Sequence, residues 1–254
     1  MPFLILKEYA TLSNPGFTIS AVIFSRGEIS NRKKHYWRKF KKIRKIGLGG
    51  VIVGLLLRKF YRNDTKYLGN QISIDKYCSE IGIDYFEIAS TTRPSTSSIE
   101  LIRNLNCDLG ISVSNDYISS KLFRLPRQGM INIHHELLPE YQGARSIIWQ
   151  IYNSSMITGF SIHKISKSID GGEILDRVEK PIIFKSSLSE TIEFNVAQLK
   201  LSSVARLFNI IPYKLEKLSL KKDLNSRQYT TPSLIQLIKI FTNFHRMKKR
   251  AISN

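Results

Sequence analysis

In Gly129-Met130-Ile131-Asn132-Ile133-His134-His135-Glu136-Leu137-Leu138-Pro139-Glu140-Tyr141-Gln142-Gly143, five residues read as a strand before the chain turns. Side chains on a strand alternate with period 2, so Asn132 and His134 share one face. Leu137-Leu138-Pro139 and the Tyr-x-Gly at Gly143 break the strand pattern, and Trp149 opens a helical stretch. Further on, Ser168-Ile169-Asp170-Gly171-Gly172 lies between strand-like runs at 160–165 and 173–184, which together read as a hairpin. From that turn Asp170 could reach His134 and orient its ring. An amide, an imidazole and a carboxylate are the parts needed to move an acyl group onto an amine. Taken singly they say little: Asn-x-His on a strand is ordinarily structural, and Asp-Gly-Gly is first of all a turn.

Outward from this strand the pattern alternates. Residues 73–81 read as a helix, 84–88 as a strand, and 97–105 as a helix with a Ser cap and Glu100 at capping-box spacing. Residues 108–113 follow as a strand, 119–125 as a short helix, and 130–134 as the strand quoted above. Such alternation predicts an α/β fold: a mainly parallel sheet with helices on both faces. Ligands in these sheets sit beyond the carboxyl ends of the strands, where 114–118 and His134 fall. Nearer the start, 2–12 reads as a helix closed by Asn14-Pro15-Gly16, and 18–24 as a buried strand. After the hairpin come a long amphipathic helix at 187–208 and a last helix at 233–247. Residues 1–210 are expected to form the catalytic domain, and 211–254 a basic, mainly helical extension.

Asn-x-His, Leu-Leu-Pro, Tyr-x-Gly, Trp149, Thr158-Gly159 and Asp-Gly-Gly in this order resemble the 10-formyltetrahydrofolate-dependent formyltransferase family. That family includes methionyl-tRNA formyltransferase, glycinamide ribonucleotide transformylase and the amino-sugar N-formyltransferases. The resemblance is strongest over 106–183 and reaches back more weakly to Pro2. It implies a Rossmann-like formyltransferase fold and 10-formyltetrahydrofolate as formyl donor; no metal is expected, because the five His are scattered. It assigns catalysis to Asn132, His134 and Asp170. By the same resemblance the folate lies on two loops, held mostly by backbone: Asn115, Asp116, Tyr117 and Ile118, then Ile165, Ser166 and Ile169. Gly143 and Arg145 would meet the acceptor, with Arg145 suited to a phosphate.

The chemistry follows from the residue types. An amine attacking a formyl carbon gives a tetrahedral intermediate with an oxyanion. Asn132 and a protonated His134 can donate hydrogen bonds to it, and losing one such donor typically costs about 10²–10³ in rate. Asp170 would favour the imidazolium, directly or through a water, and help carry the proton to the leaving nitrogen.

Three features depart from the family pattern. Its members begin with a strand and a Gly-containing turn, whereas this sequence either lacks that strand or makes it from residues 3–6. His135-Glu136 stands where Pro-Ser is usual. Glu136 is expected to face solvent, the alternative being a place near a cationic amine. Arg145 replaces a small residue or Pro. His163 shows no signal that would bring it into the site and reads as structural or exposed.

The chain has 254 residues, enough for a sizeable core, and 39 Lys+Arg against 20 Asp+Glu, a formal net charge of +19. That excess favours anionic partners, although abundant Lys, Ile, Asn and Ser also suit an AT-rich genome. Cys78 and Cys107 have no metal spacing and suit a reducing cytosol. Nothing reads as a signal peptide. Residues 30–67 look like a basic insertion with interleaved aromatics. Its apolar run at 46–57 falls short of the ~20 residues a membrane-spanning helix needs. Peripheral contact with an anionic membrane, a nucleic-acid patch, and a solvated face packing on the core are the three readings of it. The residues after the long helix read as helical, not as the β-rich RNA-binding domain of methionyl-tRNA formyltransferases. The preferred acceptor is therefore a small, phosphorylated or nucleotide-linked amino sugar for surface polysaccharide, handled in the cytoplasm. A tRNA-acting enzyme is the alternative. An inactive relative that binds RNA or membrane is the alternative of another class.

Overall fold

The computed structural model describes residues 1–28, 32–60, 72–113, 117–143, 145, 147–211 and 228–253. Helix α1 (Pro2–Thr11) leads to strand β1 (Ala21–Ser25), then to the long helix α2 (Arg32–Phe60), which kinks at Gly47 (φ 67°). Next come α3 (Ile74–Glu80), β2 (Asp84–Ile88), α4 (Thr96–Asn104), β3 (Gly110–Ser112), α5 (Ser120–Phe123) and β4 (Met130–His134). Helix α6 (Ile148–Tyr152), the hairpin β5 (Ile157–Lys164) and β6 (Ile174–Pro181), α7 (Leu188–Ile210) and α8 (Leu234–Ser253) follow.

The expected α/β alternation is present. Strands β1 and β2 pair in parallel, and β3 and β4 pair in parallel within a four-stranded sheet of order β3-β4-β5-β6. The antiparallel pairings are those of the hairpin, β5 against β4 and β6 against β5. Strand β4 shows why the sequence folds this way. Ile131 and Ile133 are buried at 0% and 5% exposure, while Asn132 and His134 lie on the other face. The Ile face joins Phe160, Ile162 and Leu175 of the hairpin and Ile192, Val196 and Leu199 of α7 in the main core. Helix α7 begins at Ser187, whose Oγ accepts from the Glu190 N–H at 3.1 Å.

Several expectations need correction. The strand near residue 18 forms only at Ala21–Ser25 and is not fully buried: Phe24 is 44% exposed, because β1 pairs with β2 alone among the described residues. Residues 3–6 are helical and do not supply a first strand. The cap of α4 is Ser95, not Ser97. Its Oγ accepts from Ser98 N at 3.2 Å, so Glu100 lies too far along for a capping box. Strand β3 is shorter than 108–113. Helix α8 runs on to Ser253, since basic side chains suit a helix C-terminus. The parts of the basic insertion at 30–31 and 61–67 lie outside the described residues. Within α2, Val53 and Leu57 enter the main core at 0% exposure, so core packing accounts for that part of the insertion.

Candidate active site

Asn132 and His134 project from the carboxyl half of β4, and the β5 register places His163 opposite Asn132. The hairpin turn then returns Asp170 to the same face. Asp170 has φ 50°, in the left-handed region that Asp tolerates better than most residues. The turn closes tightly on Lys164: a Cβ on Gly172 would stand 1.7 Å from the Lys164 carbonyl oxygen, so only glycine fits.

Two imidazoles flank one carboxylate. His134 Nε2 lies 3.8 Å from Asp170 Oδ2, and His163 Nε2 lies 3.7 Å from Asp170 Oδ1. Both are ion-pair distances, not hydrogen bonds. The direct His134–Asp170 hydrogen bond allowed for in the sequence reading is thus absent. Asp170 Oδ2 instead accepts from the Gly143 N–H at 2.9 Å. His134 Nε2 is 3.0 Å from the Tyr141 carbonyl, which can only accept, so Nε2 carries the hydrogen. Nδ1 is left as the ring nitrogen that can exchange a proton. His163 Nδ1 likewise donates to the Lys164 carbonyl at 3.0 Å, and its Nε2 accepts from Asn132 Nδ2 at 3.2 Å. Burial holds the His163 pKa below its ordinary value, against the opposing pull of Asp170. A neutral His163 therefore fixes which way the Asn132 amide points, leaving the second amide hydrogen for a ligand.

His163, read from the sequence as structural or exposed, is buried at 3% exposure, and the cross-strand register sets it beside Asn132. Alternation puts Ser161 and His163 on one face against Phe160 and Ile162, but its meaning for the site was not local. It needed the β4–β5 pairing to be read. Glu136 is also corrected. It is 0% exposed, not solvent-facing. Its Oε1 accepts from Ile147 N at 3.0 Å, and its Oε2 meets Gln150 Nε2. Burial pushes its carboxyl well above the ordinary range. His135 turns to Ser203 of α7, and burial first, then Lys200, holds it down at about 3.

The loop at 137–143 supplies two of the contacts above, through the Tyr141 carbonyl and the Gly143 N–H. It is clamped from outside by a segment the sequence reading did not single out. Tyr229 N donates to the Gln142 carbonyl at 2.8 Å. The Tyr229 ring stacks on Tyr141 at 5.4 Å and packs at a tilt against Trp149 at 4.7 Å, and Asn153 Nδ2 donates to its hydroxyl at 3.0 Å. Nothing local in the sequence announces this strap, since its partners lie far back in the chain.

Beside Asp170 opens a cavity of about 300 Å³, lined by Pro139, Gln142, Gly171, Gly172, Glu173 and Ile174. A second cavity of about 290 Å³ includes Arg124, Arg127, Met130 and Ile165, at the amino end of β4 and away from the Asn, His and Asp set. The other candidate residues scatter. Asn115 and Asp116 lie outside the described residues. Tyr117 is 42% exposed, and its carbonyl accepts from Thr91 and Thr92 hydroxyls. Ile118 and Ile165 pack in an apolar cluster with Leu122 and Phe123, which leaves their backbone for a cofactor. Ile165 N is already spent on the Met130 carbonyl. Ser166 Oγ donates to the Ser168 carbonyl at 3.1 Å, and Ile169 is 61% exposed. Gly143 joins the site through its N–H, while Arg145 is exposed beyond it.

Residues 63–204 match the formyl transferase family. Over 95 residues, 37% of the chain, it is 35% identical to the methionyl-tRNA formyltransferase of Agathobacter rectalis, covering 30% of that protein. Over 73 residues, 28% of the chain, it is 37% identical to the GDP-perosamine N-formyltransferase of Brucella melitensis, covering 28% of that protein. Each match thus spans under a third of the relative's own length. An X-ray structure of a sugar N-formyltransferase from Shewanella sp FDAARGOS_354 is 17% identical, with TM-score 0.48 over 87% of this chain and 86% of that one.

Proposed function

This chain belongs to the formyl transferase family, and we propose that it moves a formyl group from 10-formyltetrahydrofolate to the primary amine of a nucleotide-linked amino sugar. The reading rests on one observation: Asn132, His134 and Asp170 converge on one face beside a cavity. The residues present suit a formyl donor. An amide can meet the formyl oxygen, and beside it stands an imidazole with one nitrogen open to a proton.

The amine nitrogen attacks the formyl carbon, forming the new C–N bond. The Asn132 amide, aimed by His163, donates to the oxygen as it gains charge, while His134 Nδ1 is the nitrogen open to the amine proton. Asp170 stabilises the positive charge His134 acquires when it takes up the amine proton. The bond from the formyl carbon to the folate nitrogen then breaks, and His134 returns the proton to that nitrogen. Tetrahydrofolate and the formamide leave.

An amino sugar is supported by the identity to a GDP-perosamine N-formyltransferase and by the cationic surplus, which suits a diphosphate. Arg145, next to the Gly143 turn, is the residue proposed to meet that phosphate. The basic helix α2 is proposed to hold the enzyme at an anionic membrane, at its cytoplasmic face. Methionyl-tRNA is the second reading, favoured by the identity to methionyl-tRNA formyltransferases. Incubating the protein with 10-formyltetrahydrofolate and a panel of amino-sugar nucleotides beside methionyl-tRNA separates them. Formamide on a sugar is the expected product; formylation of the tRNA alone would reverse the order.

A further inference from the structure

Helices α2 and α8 both lie outside the family-matched residues 63–204, and they touch. A Cβ on Gly49 would stand 3.2 Å from Leu234 Cβ, and one on Gly54 would stand 3.9 Å from Thr231 Cγ2. Each helix buries one apolar row in the main core: Val53 and Leu57 from α2, Leu237, Ile240 and Phe244 from α8. Each also leaves a second apolar row in solvent. On α2, Ile52, Leu55 and Leu56 are exposed at the i, i+3, i+4 spacing of one helix face. On α8, Leu234, Ile235, Ile238 and Phe241 keep similar spacing, with Ile235 80% and Ile238 60% exposed. Because Leu234 sits against Gly49, the α8 row starts within one turn of Ile52. Exposed apolar residues grouped in this way mark an interaction surface, whereas scattered ones do not.

The charge on the same two helices is one-sided. Arg32–Phe60 carries eleven Lys and Arg and no Asp or Glu, and Leu234–Ser253 carries five and none. Before the Gly47 kink, α2 also exposes Tyr36, Trp37, Phe40 and Ile43, with Trp37 stacked on Phe40 at 5.9 Å.

We infer that α2 and α8 together form a docking surface for an anionic lipid bilayer. This rests on the membrane contact proposed above for α2 and extends it to a composite surface. A second copy of the chain would bring the same cations face to face. RNA would neutralise the cations yet leave Ile235, Ile238 and Leu55 in water. Anionic headgroups over hydrocarbon satisfy both features at once. Among the described residues no helix is long and apolar enough to cross a membrane, so both helices lie in the interface. On its inner side α8 is tied to α6, with Asn243 Nδ2 donating to the Ile151 and Tyr152 carbonyls at 3.0 and 2.8 Å. The docked surface is therefore one helix away from the loop that holds His134 and Asp170.

The test is sedimentation of the full chain with phosphatidylcholine vesicles, with and without phosphatidylglycerol, at low salt. Wild-type protein is expected to pellet with the anionic vesicles alone. Trp37 fluorescence should shift to the blue on binding; the other tryptophan, Trp149, is buried at 4% exposure. Ile235→Glu with Ile238→Glu should lower the bound fraction about tenfold or more. Ile235→Ser with Ile238→Ser should do the same if the charged pair lowers the melting temperature. No pelleting of the wild type would overturn the membrane contact and this surface with it. Equal pelleting of wild type and α8 variants would overturn the composite surface while leaving contact through α2 standing. A wild-type dimer dispersed by the α8 variants would assign the surface to a second copy. Binding of RNA without binding of vesicles would assign it to nucleic acid.

Discussion

Replacing Glu136 by Gln should stabilise the protein, and the gain should grow with pH. Glu136 is fully buried between the Ile147 N–H and Gln150, and burial raises its carboxyl well above the ordinary 4.5. The folded protein therefore keeps a proton that the unfolded chain releases above pH 4.5. Stability from this group is fully present below 4.5 and is lost as pH rises towards the folded value. One bound proton corresponds to at most ~1.4 kcal/mol per pH unit, so wild type should lose stability relative to Glu136→Gln as pH rises above the ordinary carboxyl value. Geometry agrees with a bound proton. Gln150 Oε1 is buried without a partner, and exchanging that amide's oxygen and nitrogen lets a protonated Glu136, or a Gln in its place, donate to it. His135, held down at about 3 by burial, titrates in the opposite sense, but both proteins carry it and its share cancels. Urea unfolding of the two proteins at pH 5, 6 and 7 reads the difference. A difference that does not change with pH would mean that Glu136 is ionised in the fold, and would refute the reasoning.

Two further substitutions probe the support of the site. His163→Phe removes the acceptor that aims the Asn132 amide, a hydrogen bond worth ~1 kcal/mol, and should lower kcat roughly five- to tenfold with little change in KM. Combined with Asn132→Ala it should add almost nothing, so a fully multiplicative loss would show that His163 acts by another route. Tyr229→Ala strips the ring from Tyr141 and Trp149, each aromatic pair contributing ~1 kcal/mol. It should cost about 2–3 kcal/mol in urea unfolding and also slow turnover, while Tyr229→Phe keeps turnover. Normal turnover in a destabilised Tyr229→Ala protein would reduce the strap to a structural role.

What the sequence made legible was local. Period-2 alternation sets the faces of β4, and it alone puts Asn132 and His134 on one face. The Asp170 turn was also legible, because Gly171 and Gly172 mark a hairpin whose tip must return towards its neighbours. The rest depended on partners distant in the chain. His163 enters the site only through its register with Asn132, and period 2 alone does not say which strand lies alongside. Glu136 looked like a solvent-facing charge because a buried carboxyl has no local signature; its partners Ile147 and Gln150 meet it through a turn. Tyr229 clamps residues 141–143 from far along the chain. The cap of α4 went to Ser95 because any of three nearby serines could serve, and composition does not choose between them.

The central claim is that Asn132, His134 and Asp170 carry out formyl transfer. The most direct test is the single-turnover rate of tetrahydrofolate release from 10-formyltetrahydrofolate, with a saturating amine acceptor, for wild type and for Asn132→Ala, His134→Ala and Asp170→Ala. Each substitution is expected to slow transfer by roughly 10² or more, with melting temperatures close to that of wild type. Transfer at the wild-type rate in all three variants would contradict the account.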